Sequence, residues 1–370
     1  MNPKFILSKS KVHEQYNKLK DLGVLISYSW KTNPEVGKIL EKETESLFSI
    51  HAFEEIEDIK DKKRIWFFAQ AWNKNEIKNL IDKGIKNFVI DNETDLKTIF
   101  DFISNEKVNI LLRMKFQERR VQTGKYFVYG MNSKTINKWI LKLKDNKSIN
   151  KIGIHVHRKS QNTSEWNLKY ELEDSLSKEV LERIDLINIG GGFPIKYKNY
   201  TSKVLDYIFS QIKELKNWLA EKNINLIVEP GRFIAGPSIK LETKVISVCD
   251  EKIVVNCSVY QGNTDAIFQD ALKLIVEGEL ENGNEYIIKG KTPCSLDIFR
   301  YKVKLPEIKV GDKIIFLNAG AYNFSTDFCK LKKLKTEIVD WKLIYYFIFL
   351  TLIISMITKI PTKITTIKRI

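Results

Sequence analysis

Short apolar runs recur along the first two thirds of this 370-residue chain, separated by polar stretches. They fall at 26–30, 46–49, 64–69, 88–91, 110–114, 152–156, 186–189 and 226–229. Each is rich in β-branched, aromatic or Leu residues and lacks clean alternation, the pattern of a strand buried on both faces. Amphipathic stretches at 73–83, 93–104, 133–144 and 202–222 predict helices between them. Eight strands interleaved with helices predict an α/β fold, a (β/α)8 barrel of the TIM type. After Gly236-Pro237 the rhythm changes. Runs at 239–249, 252–260, 285–289, 313–317 and 335–339, broken by turn sequences such as Glu281-Asn282-Gly283-Asn284, predict a mostly antiparallel C-terminal β domain. Phe5-Ile6-Leu7 is expected to pair into it. The expected organisation is a lead-in at 1–25, the barrel at 26–236, the β domain at 237–340 and a tail at 341–370.

Composition narrows the class. Hydrophobic residues make up 43% and charged residues 29%, which excludes intrinsic disorder and supplies a real core. Four cysteines and four histidines, with no CxxC pair, give neither a disulfide framework nor a metal module. A reducing cytoplasm is the expected setting. The net charge of +15 is spread over the whole chain, so a solvated basic surface is expected rather than a nucleic-acid partner. Residues 1–20 hold no apolar signal core. The uncharged run 343–358 is followed by Lys359 and Lys363. It reads either as a membrane tether or as an aberrant extension.

In such a barrel, chemistry sits at the C-terminal ends of the strands. Lys31 follows the first run in Tyr28-Ser29-Trp30-Lys31-Thr32-Asn33. A lysine desolvated there loses part of its proton affinity and becomes a Schiff-base nucleophile. Gly190-Gly191-Gly192-Phe193-Pro194 follows the seventh run, where barrels bind phosphate on backbone N–H groups. Glu229-Pro230-Gly231-Arg232 follows the eighth and offers an acceptor for a protonated ring nitrogen and a fork for phosphate.

These motifs, with His155-Val156-His157, a Cys294…Asp297 turn and Gly320-Ala321-Tyr322, occur in one order. In that order the chain resembles the fold-type III, pyridoxal-phosphate-dependent amino-acid decarboxylases, the family of ornithine, arginine and diaminopimelate decarboxylases. The resemblance spans about residues 5 to 340 and implies pyridoxal 5'-phosphate as cofactor. It implies that Lys31 carries the cofactor, that His157 stacks on its ring beside Arg113, and that Glu229 pairs with its nitrogen. It implies that Ser160, Gly190, Gly191, Gly192, Arg232 and Tyr322 hold its phosphate. It further implies a homodimer with shared sites, in which Cys294 reaches the partner's site as proton donor, and substrate contacts from Asp270 and Asp297.

The departures concern the substrate. The family usually has His-x-Gly-Ser where this chain has His157-Arg158-Lys159-Ser160, and an acid where it has Ser49. The cysteine sits one place late, and no acid follows it. Arg158 and Lys159 either add charge near the phosphate or meet a carboxylate at the substrate's far end. The expected activity is decarboxylation of an ornithine-, lysine- or diaminopimelate-type amino acid. A carboxylated conjugate such as citryl-ornithine is the alternative substrate. A non-catalytic, decarboxylase-like regulator is the competing class, and the cysteine turn argues against a racemase.

Overall fold

The computed structural model describes residues 1–103, 106–116, 128–143 and 145–340, Asp270 by its backbone alone. The chain opens with β1 (Lys4–Ser8). Eight strands then alternate with helices: β2 (Leu25–Ser29), β3 (Leu47–Ile50), β4 (Ile65–Ala69), β5 (Asn87–Ile90), β6 (Val108–Arg113), β7 (Ile149–His155), β8 (Leu186–Asn188) and β9 (Asn225–Val228). All eight pair in parallel, and β9 closes on β2. The eight expected runs are these eight strands.

Double-sided burial explains their composition. Trp66, Val89, Leu111, Leu186 and Ile227 form a separate cluster, joined by Leu47 and Phe68. Alternate residues of the same strands, among them Phe67, Phe88, Ile110 and Leu112, join the main core. Side-chain caps start the helices. Asn33 accepts the Glu35 and Val36 N–H groups at 3.1 and 3.3 Å to begin Pro34–Glu43. Its amide also donates to the Gly320 carbonyl and to Asn323 Oδ1, each at 2.9 Å. One residue thus ties the turn after β2 to the second domain.

That domain holds β10 (Ile239–Cys249), β11 (Lys252–Val255), β12 (Ile275–Val276), β13 (Asn284–Lys289), β14 (Ile298–Leu305), β15 (Lys313–Leu317) and β16 (Lys335–Val339). The sheet runs β12-β15-β10-β11-β13-β14, with β1 between β10 and β16. It is mostly antiparallel, as expected; β1–β16 and β11–β13 are the parallel pairs. The run expected at 252–260 ends at Val255, because Ser258 caps a short helix, Val259–Gly262. β14 was not expected from the sequence. The tail at 341–370, with its tether reading, lies outside the described residues. Among the described residues no helix is long and apolar enough to cross a membrane, and no cluster of His, Cys, Asp or Glu is suited to a metal.

Candidate active site

A cavity of about 330 Å³ opens at the C-terminal mouth of the barrel. Lys31 lies in the 3-10 turn Trp30–Thr32 that leaves β2. Its side chain lines the cavity and is exposed there. Desolvation lowers its pKa, against the pull of Glu229, so a larger neutral fraction is available than for a surface lysine.

Glu229, one residue past β9, is buried. Its Oε1 accepts the Ser49 hydroxyl at 2.6 Å and the Asn188 amide at 2.9 Å. Its Oε2 accepts the His155 Nε2–H at 3.1 Å. Burial pushes the carboxyl up, but the His155 ring and the donors outweigh it and hold Glu229 at about 2. The site therefore keeps a buried negative charge at neutral pH.

The glycine loop is shaped by close approach. Gly190 has φ +67°, and a Cβ there would lie 2.7 Å from His157 Nδ1. A Cβ on Gly191 would lie 2.4 Å from the Glu229 carbonyl oxygen. The loop can pack its backbone against both residues only without side chains. Gly191 and Gly192 line the cavity; Gly190 lies beneath His157. Desolvation and the neighbouring His155 hold His157 down at about 4, so its ring is neutral.

Two arginines complete the wall. Arg113, at the end of β6, faces Asp91 at 3.3 Å and lies over the Tyr129 ring. Arg232 Nη1 donates to Tyr197 Oη at 2.9 Å and to Asp265 at 2.5 Å, and its guanidinium lies over Tyr322. Burial opposes the Arg232 charge, but Tyr197 and Asp265 raise its pKa above the ordinary range. Arg232 Nε is buried with no partner. Tyr322 is held beside the lysine turn by its N–H to the Thr32 carbonyl at 2.9 Å. Ser160 also lines the cavity.

These residues fit pyridoxal 5'-phosphate. An orphaned guanidinium nitrogen, a backbone cradle that a Cβ would fill, an aldehyde-reactive amine and a buried carboxylate share one cavity. The expected residues at the barrel mouth are thus brought together. Four others are not. Cys294 sits in the β domain, away from this cavity. The Asp297 side chain is fully buried and accepts the Val259 N–H at 2.8 Å, the Thr292 N–H at 3.0 Å and the Thr292 hydroxyl at 2.6 Å. It fastens a turn, which corrects the expectation of a substrate contact. Arg158 pairs with Glu171 and lies over Phe116, and Lys159 pairs with Glu165 at 2.9 Å. Neither lines the cavity, so nearby acids, not a ligand, answer their charge. The Asp270 side chain lies outside the described residues.

The sequence reading missed three groups. His155, the last residue of β7, donates to Glu229, 74 residues further along the chain. His51 lines the cavity, stacked on Phe68 with centroids 4.5 Å apart. Asp91 stands at the end of a recognised strand, where it meets Arg113.

The chain is similar to known proteins. The family described as pyridoxal-dependent decarboxylase, pyridoxal binding domain, matches residues 9–236. The chain is 29% identical over 295 residues to diaminopimelate decarboxylase of Staphylococcus aureus (strain COL), covering 72% of this chain and 68% of that protein. It is 24% identical over 338 residues to antizyme inhibitor 2 of Xenopus laevis, covering 80% and 71%. The solved lysine/ornithine decarboxylase of Vibrio vulnificus, complexed with putrescine, shares its fold at a TM-score of 0.76 and 22% identity, covering 91% and 94%. With its barrel matched throughout and its lysine, glycine loop and carboxylate converging on one cavity, this chain belongs to the pyridoxal-dependent decarboxylase family.

Proposed function

We propose that this protein removes the α-carboxylate of an amino acid bearing a second amine, of the ornithine, lysine or diaminopimelate class, and that it works as a homodimer. The observation that carries this reading is the convergence of Lys31 and Glu229 on the cavity that the glycine loop and Arg232 also line. Bound pyridoxal phosphate supplies an aldehyde for amines and a ring that accepts the electron pair left when CO₂ departs.

The chain supplies the rest. Lys31 offers its partly desolvated amine as nucleophile. Glu229, ionised and fastened on both oxygens, holds a proton on a nitrogen donor facing it. The neutral His157 ring offers a flat wall. Arg232 Nε, the Gly191–Gly192 backbone, Ser160 and the Tyr322 hydroxyl serve a phosphate. The Cys294 thiol carries a weakly acidic proton and is a suitable proton donor. It stands outside this chain's own cavity, so it serves the cavity of a second copy. All four cysteines are free thiols, which suits a reducing compartment. Arg158 and Lys159 are answered by acids, which favours a simple diamino acid over a carboxylated conjugate. The regulator reading finds no support, because the lysine, glycines and buried carboxylate are all in place.

The test is CO₂ release from ornithine, lysine, arginine, meso-diaminopimelate and citryl-ornithine. Release from at least one of the first two or from diaminopimelate supports the reading; cofactor-loaded protein inert on all five overturns it. Mixing inactive Lys31→Ala and Cys294→Ala chains should restore part of the activity, and no recovery after verified subunit exchange rejects the shared site.

A further inference from the structure

The surroundings of Cys294 are assembled from segments far apart in sequence. The half-buried thiol lies 3.1 Å from the Tyr260 hydroxyl. The Tyr260 ring stacks on Phe328, centroids 3.8 Å apart and planes at 19°, which leaves the hydroxyl little freedom to swing away. Asp297 clamps both sides of the contact. Its carboxylate takes the N–H of Val259, next to Tyr260, and both the N–H and hydroxyl of Thr292, two residues before Cys294. Its own N–H donates to the Cys294 carbonyl at 3.0 Å. The Tyr260 carbonyl accepts the Thr326 N–H at 2.9 Å, which ties in the stretch leading to Phe328.

We propose that Tyr260 is a positioning residue for Cys294, aiming the thiol and steadying the sulfur after it has given up its proton. The inference rests on the reading of Cys294 as proton donor. In that step the S–H bond breaks, the proton goes to the substrate carbon that has lost CO₂, and the electron pair stays on sulfur. The Tyr260 O–H then donates to that sulfur, a charge-assisted bond stronger than its neutral counterpart. A proton from solvent restores the thiol. The adjoining sulfur, with some burial, pushes Tyr260 up to about 12, so the hydroxyl keeps its proton throughout.

Tyr260→Phe in the full chain keeps the stacked ring and removes the hydroxyl. Iodoacetamide alkylation of Cys294, followed by peptide mass spectrometry at fixed pH, reads the thiol without any turnover. Cys249, exposed and outside this cluster, serves as internal standard. Alkylation of Cys294 is expected to slow about tenfold, and kcat to fall by a similar factor with KM unchanged. Unchanged or faster alkylation relative to Cys249 overturns the inference. Slowed alkylation beside a Cys294→Ala variant of undiminished activity rejects the proton-donor reading instead and leaves the thiol-positioning role standing. Phe328→Leu, which frees the ring but keeps the hydroxyl, should slow alkylation by a smaller factor.

Discussion

The barrel mouth and the turn around Cys294 reach order by different routes. At the mouth, each group hangs from the end of its own strand, and the closed barrel sets their spacing: Lys31 after β2, Arg113 on β6, His157 after β7, Glu229 after β9. Around Cys294 no regular element does this. One buried carboxylate, Asp297, gathers the backbone of two segments, at Val259 and Thr292. The family match ends at residue 236, so the first region is the one the family description covers. The difference teaches which part of the chemistry tolerates change. Cofactor residues are locked to a scaffold shared by many enzymes. The Cys294 turn rests on loops, which tolerate change more readily than a closed barrel.

Substitutions can break or sharpen that contrast. The largest effect belongs to the barrel: Lys31→Ala should reduce CO₂ release by about 10³-fold or more while unfolding at nearly the parent temperature, and absorbance should report loss of covalently held cofactor. Glu229→Gln removes the buried charge but not the shape; kcat should fall about 10²-fold. A matched glycine pair separates the regions. A Cβ on Gly191 would meet the Glu229 carbonyl oxygen at 2.4 Å, and one on Gly290 would meet Asp297 Oδ1 at 2.0 Å. Each Ala variant should lose roughly 1–3 kcal/mol of stability. Gly191→Ala should bind cofactor poorly, whereas Gly290→Ala should bind it normally and turn over slowly. Equal cofactor loss in both would erase the distinction.

The smallest effect is a pH dependence. His157 titrates at about 4 in the fold, below its ordinary range because of desolvation and its cationic neighbours. Unfolded, it titrates near 6.5. Below that pH the unfolded chain binds a proton that the folded chain refuses, so this ring's share of stability is present above about 6.5 and is lost as pH falls toward about 4. The ring faces the water of the cavity, which keeps its share well under the ceiling of about 1.4 kcal/mol per pH unit. Urea midpoints between pH 7 and 4.5 should fall less steeply in His157→Gln.

The sequence disclosed what repeats and what tolerates no substitute. Strands buried on both faces leave unbroken apolar runs, so all eight were legible, and glycines forced by close approach are visible as a cluster. β14 escaped because Arg300, Tyr301, Lys302 and Lys304 break its apolar pattern. Arg300 is nonetheless fully buried, its charge met by Glu279 at 2.7 Å. Asp297 was expected to meet substrate, and Arg158 and Lys159 a phosphate or a carboxylate, for one reason: a charged residue beside a motif looks available until the fold shows which neighbour already holds it. The Glu229–His155 bond joins residues on separate strands and leaves no local signature.

β1 pairs through Leu7 with Ile239 on one side and with Ile338 on the other. During synthesis, strands β2 to β9 emerge and can close among themselves while this first strand still lacks both neighbours. Its earliest partner leaves the ribosome only after the whole barrel, and its second only near the end of the described chain. An apolar strand with both edges open is a template for the wrong neighbour, including the same strand on another nascent chain. Yield in rapid expression should therefore be limited by the wait of Phe5 and Leu7, not by closure of the barrel. Slower elongation or a holding chaperone at the exit tunnel would help the protein more than a tighter core.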